Sequence, residues 1–148
     1  MSKLCWRVSL IMPTVIRSQL ATSNPYYISK HRYYELKHYC LQYPEWKRMM
    51  SKMREKSLIG GYIVYNNTSI QESDKTGDYG VFLANLSHSM KEIEQLCREA
   101  GGDISDWLLM AVTEGISYPI LEARGIPCGR DYFYLRYRKF FWLLSQVR

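Results

Sequence analysis

The stretch GISYPILEARGIPCGRDYFYLRYRKFFWLLSQVR, residues 115–148, decides the fold, because it combines helix boundary signals with a strong apolar pattern. Ser117 is a suitable N-cap for a short apolar helix, and Gly125-Ile126-Pro127 ends that helix. A longer aromatic helix follows from about Gly129. Two helices joined by a short turn that contains glycine are typical of a helix-turn-helix.

The longer helix is predicted to be amphipathic. Its apolar side chains recur at i, i+4, i+7, i+8 and i+11: Phe133, Tyr137, Phe140, Phe141 and Leu144. We expect the opposite side to carry Arg130, Tyr134, Arg136, Arg138 and Lys139. A helix that packs on one face and is basic and tyrosine-bearing on the other suits the DNA major groove. The same pattern is also found on ordinary surface helices, so both interpretations stay open.

Length and composition indicate a globular protein of one domain, or two very small ones. The chain has 148 residues, of which 47% are hydrophobic and 23% charged. No apolar run approaches the ~20 residues of a membrane helix, and Pro13 and Arg17 interrupt the only candidate signal peptide. The four cysteines, Cys5, Cys40, Cys97 and Cys128, form no C-x-x-C pair. We therefore expect reduced thiols in a cytoplasmic protein.

The net charge of +6 is unevenly distributed. Residues 1–59 hold eleven Lys and Arg against three Glu, and residues 107–148 hold six against three acidic residues. Residues 60–106 hold three Lys and Arg against eight acidic residues. Two basic ends therefore flank an acidic middle. This asymmetry suits a protein whose ends face a polyanion, and equally one whose parts neutralise each other.

The amino-terminal part divides into an arm and a pair of helices. Residues 1–27 contain no acidic side chain, and their alternating apolar residues predict an edge strand or loose arm that leads into a linker. Residues 28–58 predict a basic, Tyr-rich helical hairpin that begins after Ser29 and breaks at Pro44. The outer face of its second helix carries Lys47, Arg48 and Lys52 among other cations.

Residues 59–77 predict a polar loop insert with a short strand at Tyr62-Ile63-Val64-Tyr65. Pairing of this strand with the arm would form a small two-stranded β element.

Residues 78–148 predict a long helix and a DNA-binding region. The long helix runs from Asp78 or Tyr79 to Ala100, with Phe82, Leu86, Ile93, Leu96 and Ala100 on its buried side and Glu92, Glu94 and Glu99 outside. Asp103 resembles the cap of a further helix that ends at Gly115. We therefore predict a mainly α-helical protein with an amino-terminal helical hairpin and a carboxy-terminal tri-helical helix-turn-helix.

No motif predicts catalysis. Glu35 and His38 have the E-x-x-H spacing of carboxylate-bridged metal bundles, but the chain lacks the second E-x-x-H that such a site requires. Phosphate-binding glycine motifs and cysteine signatures are missing as well. We expect no enzyme activity, no catalytic residue, no metal site and no cofactor.

Two blocks resemble putative prophage transcription regulators related to the RinA and ArpU late-gene activators. They are YYISKHRYYELKHYCLQYPEWK, residues 26–47, and VTEGISYPILEARGIPCGRDYFYLRYRKFFWLLSQ, residues 112–146. The resemblance implies a helix-turn-helix like that of sigma-factor region four, with the helix from Gly129 as recognition helix. It further implies sequence-specific binding of double-stranded DNA at phage promoters in a bacterial host. Host RNA polymerase is a further candidate partner.

The predicted interface has a base-reading and a phosphate-binding part. We expect Gly129, Arg130, Asp131, Tyr132 and Tyr134 to approach base edges. We expect Arg136, Arg138, Lys139, Lys47, Arg48 and Lys52 to hold phosphates. Because a single helix-turn-helix buries little DNA surface, a homodimer is expected, although no zipper heptads mark its interface.

An alternative class is a phage counter-defence protein of the anti-CRISPR type, which would bind and inhibit a bacterial Cas nuclease. An acidic surface can occupy a nucleic-acid channel by imitating phosphates. The side chains expected to form that surface are Glu72, Asp74, Asp78, Glu92, Glu94 and Glu99.

Overall fold

A computed structural model describes the backbone of residues 22–60 and 75–148, and the side chains of residues 22–55 and 78–148. This part of the chain is mainly helical, as predicted, and contains no strand. Its helices are α1 (Lys30–Leu41), α2 (Tyr43–Gly60), α3 (Lys75–Gly101), α4 (Ser105–Glu114), α5 (Tyr118–Ala123) and α6 (Arg130–Val147). Both predicted strands lie outside the described residues.

Helices α1 and α2 form where the boundary signals predict them. The Ser29 hydroxyl caps α1 by accepting a hydrogen bond from the backbone N–H of Arg32, at 3.4 Å. Gln42 alone separates the two helices, and Pro44 occupies the second position of α2, where its missing N–H costs nothing. Helix α2 continues to Gly60 and α3 begins at Lys75, so both extend into the predicted loop insert.

Helix α3 is the central element of the fold. It packs most extensively against α6 and α4, and it also contacts α2. Leu86, Ile93, Leu96 and Ala100 are buried as predicted, but Phe82 is 47% exposed, so that part of the prediction is wrong. At 27 residues α3 is about 40 Å long, whereas α4 and α6 have 10 and 18 residues. Helical periodicity therefore selects the correct face at Phe82, but these shorter neighbours do not cover it.

The connection between α3 and α4 differs from the predicted capped start. A 3-10 turn at Gly102–Ile104 follows α3, and Gly102 has the positive φ of 53° that favours glycine. Ile104, which is buried, occupies the N-cap position of α4, and no side chain caps that helix. The predicted cap at Asp103 is therefore wrong, because burial of Ile104 sets the start of α4 instead.

The core is centred on α6. The five predicted stripe residues, Phe133, Tyr137, Phe140, Phe141 and Leu144, are all buried. Helix α1 joins them through Tyr33, whose ring centroid lies 5.0 Å from that of Phe141 and whose hydroxyl lies 3.2 Å from the Tyr137 hydroxyl. Tyr33 of the Tyr-rich segment thus packs between α1 and α6. Within the described ranges, no helix has the length and apolarity that crossing a membrane requires.

Candidate nucleic-acid interface

The turn between α5 and α6 is held by side chains on both of its sides. Gly125 has φ of 91°, a conformation that other residues adopt only with strain. The Tyr118 hydroxyl donates a hydrogen bond to the Cys128 carbonyl at 2.9 Å. The Tyr118 ring packs against Phe133, with a centroid separation of 5.4 Å, and Ile126 between the helices is buried. The start of α6 is therefore fixed relative to α5.

The first turn of α6 faces solvent. Gly129, Arg130, Asp131 and Tyr132 are all exposed, with Tyr132 at 40%. Gly129 is the N-cap residue and makes no side-chain cap, and a Cβ at this position would meet no atom within 4 Å. The free N–H groups of a helix start attract anions such as phosphates. Four of the five predicted base-reading residues thus lie together on an open surface.

The fifth of them, Tyr134, lies elsewhere. It is half-buried, and its ring centroid is 5.2 Å from that of Phe133 and 6.2 Å from that of Tyr118. The Arg130 guanidinium lies 5.7 Å from the Tyr134 ring centroid, within the range of a cation–π contact. Tyr134 is therefore placed to support Arg130 rather than to approach bases itself.

Arg136 packs against α3 instead of facing outward. Its Nη1 donates to the Ala100 carbonyl at 3.5 Å, and its guanidinium lies 4.8 Å from the Tyr132 ring centroid. The last carbonyls of a helix carry partial negative charge, which a cation stabilises. Arg136 thus links α6 to the end of α3. The prediction of one basic face that includes both Tyr134 and Arg136 is wrong, because 100° per residue sends these two side chains to opposite flanks of α6.

The solvent-facing side of α6, opposite its buried stripe, includes a residue that the sequence analysis does not single out. Leu135 is 42% exposed, and it follows Asp131 by four residues and precedes Lys139 by four. Arg138 and Lys139 are half-buried and flank Leu135 on this side. The signal was available, because Leu135 lies opposite the buried stripe on a helical wheel. Leu135 is uncharged, so a pattern defined by charge does not include it.

The predicted phosphate contacts on α2 lie at the surface. Lys47, Arg48 and Lys52 are exposed, and Arg48 Nε donates to the Pro44 carbonyl at 3.3 Å. However, α2 and α6 are not principal neighbours, since both pack mainly against α3, α4 and α1. The two sets of cations are therefore separate patches.

Within the described part of α3, the predicted acidic surface is interrupted. Glu94 is half-buried and accepts a hydrogen bond of 2.6 Å from the Tyr43 hydroxyl. Glu92 is half-buried too, with its Oε2 at 3.8 Å from Arg148 Nε. Glu94 therefore departs from the outer face on which it was expected, whereas Glu92 keeps the direction of Glu99, seven residues later, and is engaged by Arg148. Asp78 and Glu99 are exposed, whereas Glu72 and Asp74 lie outside the described residues.

A half-open cavity of about 420 Å³ lies between α1, α3 and the end of α6. It is lined by charges of both signs, among them Arg32 with Glu35 and Arg148 with Glu92. The guanidinium of Arg148 lies 3.8 Å from the ring centroid of Tyr39, so this cation is already engaged. A cavity of balanced charge has no preference for an anionic or a cationic ligand.

The core cysteines are unsuited to act as nucleophiles. Cys40 on α1 and Cys97 on α3 are buried free thiols. Burial raises the pKa of the Cys40 thiol to about 12, with a smaller opposing effect of Arg148. Burial raises the pKa of Cys97 as well. Both groups stay protonated at neutral pH, and the thiolate is the reactive form.

Comparisons with family models, with curated proteins and with solved structures find no match to this chain. The resemblance to RinA- and ArpU-type regulators therefore stays a prediction from two sequence blocks.

Proposed function

We propose that this protein binds double-stranded DNA in a sequence-specific manner through the amino-terminal half of α6, as a transcription regulator would. The observation that carries the proposal is the exposed group Gly129, Arg130, Asp131 and Tyr132 in the first turn of a helix that is buried along one face. A recognition helix needs this combination, since its core side fixes the orientation and its first turns enter the groove.

The chemistry of the exposed group fits base edges and phosphates. Arg130 is suited to a bidentate contact with guanine, and the uncapped N–H groups after Gly129 are suited to a phosphate. Leu135 lies one turn after Asp131 on the solvent-facing side of α6 and can contact a thymine methyl group. Lys139 and Arg138 follow on the same side and would position the helix on the backbone.

An inhibitor that imitates DNA is less well supported. Such a protein needs an open row of carboxylates, and on α3 both Glu92 and Glu94 are half-buried and engaged with Arg148 and Tyr43. The basic start of α6 would have no role in that mechanism. DNA is therefore the proposed partner, and a Cas-type nuclease is the competing outcome of the test.

The test begins with selection of binding sequences from a pool of random duplexes, followed by fluorescence anisotropy titration at several salt concentrations. Specific binding predicts an enriched motif and an affinity that falls steeply with salt. Arg130→Ala should cost ~1–3 kcal/mol on the selected site and relax the preference at one base position.

Arg98→Ala is the matched control, because it removes the same charge from an exposed position on α3. It should leave the binding preference unchanged, and both variants should unfold at the wild-type temperature. Failure to enrich any motif, or equal losses in the two variants, would reject the proposal. Stable binding to a nuclease that survives Arg130→Ala would favour the inhibitor instead.

A further inference from the structure

The outward face of α1 is unlike that of its neighbour α2. On α1 the exposed line consists of His31, Tyr34, His38 and Leu41, with Tyr34 and Leu41 at 38% and 39% exposure. The outer face of α2 is instead charged, with Lys47, Arg48, Lys52 and Arg54 all exposed. Helices that face only water usually carry charges along their outer face, so a line of two histidines, a tyrosine and a leucine on α1 requires another explanation.

The spacing of residues along this line matches the seam of a coiled coil, with histidine at the a positions where aliphatic residues are usual. Any outward helix face has the spacing of three and four residues, but here His31 and His38 take the a positions and Tyr34 and Leu41 the d positions. The core-facing residues Leu36 and Cys40 fall on the other side of α1 and stay buried. A second helix could therefore lie along this line without disturbing the fold.

The charges beside the line select the partner and its direction. Lys30 and Lys37 fall at g positions, and Glu35 falls at an e position. In a parallel pair of identical helices, each g residue meets the e residue five positions later in the other helix, so Lys30 meets Glu35 of the second copy. In an antiparallel pair g positions meet g positions, which would bring Lys30 against Lys37. Opposite charges favour the first arrangement and like charges oppose the second.

We propose that a second copy of this chain docks on α1, and that the two α1 helices pair in parallel along His31, Tyr34, His38 and Leu41. The Arg32–Glu35 ion pair of 2.8 Å lies within one helix and is exposed, so Glu35 can share its charge with Lys30 of the second copy. Helix α1 is about 18 Å long, which makes the seam short and the dimer weak and dependent on concentration. The inference does not rest on DNA binding, although such a dimer would present two α6 helices.

Sedimentation equilibrium of the full chain over a range of concentrations tests the association, and charge exchange tests its geometry. Lys30→Glu and Glu35→Lys should each weaken dimerisation at least tenfold, and the double variant should restore it, because the exchanged pair is again attractive. Ile120→Glu on α5 is the control for an added charge at an exposed apolar position and should have no effect. A wild-type chain that stays monomeric at all concentrations would overturn the proposal.

Cross-linking tests the direction of pairing. In a background with Cys5→Ser and Cys128→Ser, His31→Cys alone and Leu41→Cys alone should each form a covalent dimer under mild oxidation, because identical positions meet in a parallel pair. An antiparallel pair would link only a mixture of the two variants. That result, or a double charge exchange that fails to restore the dimer, would refute the parallel seam.

Discussion

The hydrogen bond between Tyr43 and Glu94 should be a measurable link between the first turn of α2 and the middle of α3. Tyr43 is only 8% exposed, and its hydroxyl donates to Glu94 Oε1 at 2.6 Å. Burial, and then the hydrogen bond and charge of Glu94, raise the pKa of Tyr43. The change Tyr43→Phe removes the hydroxyl alone and keeps the ring that packs in the core.

The size of the effect follows from the burial of the two partners. A hydrogen bond to a charged group contributes about 1.5–3 kcal/mol when both partners are desolvated. Glu94 is half-buried and regains water when the hydroxyl is lost, so we expect a loss of roughly 1–2 kcal/mol. For a protein of this size that corresponds to a fall of about 3–8 °C in Tm.

Urea unfolding of Tyr43→Phe, Glu94→Gln and the double variant measures the interaction as a coupling energy. We expect a coupling of about 1 kcal/mol, because each single change removes the same charge-assisted hydrogen bond. Glu99→Gln, at an exposed position of α3, is the control and should change stability by less than about 0.5 kcal/mol. Additive effects of the two single changes would show that the hydrogen bond does not hold α2 to α3.

Three further changes test the core and the turns. Phe140→Ala should lower the free energy of unfolding by about 3–5 kcal/mol in urea titrations, because the ring is fully buried between α6 and its neighbours; a loss below about 1 kcal/mol would contradict that position. Cys40→Ala should make the free energy of unfolding less sensitive to alkaline pH. Burial raises the pKa of the Cys40 thiol to about 12, so the stability that the protonated thiol contributes is complete below about pH 8.5. Above that pH this contribution declines by up to about 1.4 kcal/mol per pH unit, until about pH 12. Parallel slopes for this variant and the wild type would refute the assignment. Gly115→Ala should lower the free energy of unfolding by ~1–2 kcal/mol, because Gly115 has φ of 69° and the added Cβ would lie 3.3 Å from Leu41 Cδ2. Circular dichroism melts measure this loss, and Gly129→Ala is the comparison because Gly129 is an open position with negative φ.

Local chemistry made much of the fold predictable. Ser29 and Gly115 mark helix boundaries in the structure as they do in the sequence, because capping and positive φ depend on a few adjacent residues. The buried stripe of α6 was predicted residue by residue, since a period of 3.6 places Phe133, Tyr137 and Phe140 on one side whatever packs there. These features depend on residues that are close in sequence, so they can be predicted without the positions of the other helices.

The candidate site was predicted less completely. Gly129, Arg130, Asp131 and Tyr132 are exposed at the start of α6 as expected. The sequence predicts Tyr134 and Arg136 on the same open surface. In the structure the Tyr134 ring packs near Tyr118, and Arg136 donates a hydrogen bond to the Ala100 carbonyl. Tyr118 and Ala100 are 16 and 36 residues away from them in the chain, beyond the reach of a local pattern.

The sequence by itself therefore determined the helix boundaries that local capping and turn residues mark, such as Ser29 and Gly115, and which side of α6 is apolar. Only the tertiary structure decided which outward side chains remain free. Glu94 is taken by Tyr43, Arg136 by the end of α3, and Phe82 is left partly exposed on a helix longer than its neighbours. The physical reason is that periodicity sets the direction of a side chain relative to its own helix axis, whereas burial and pairing depend on which other helix lies in that direction.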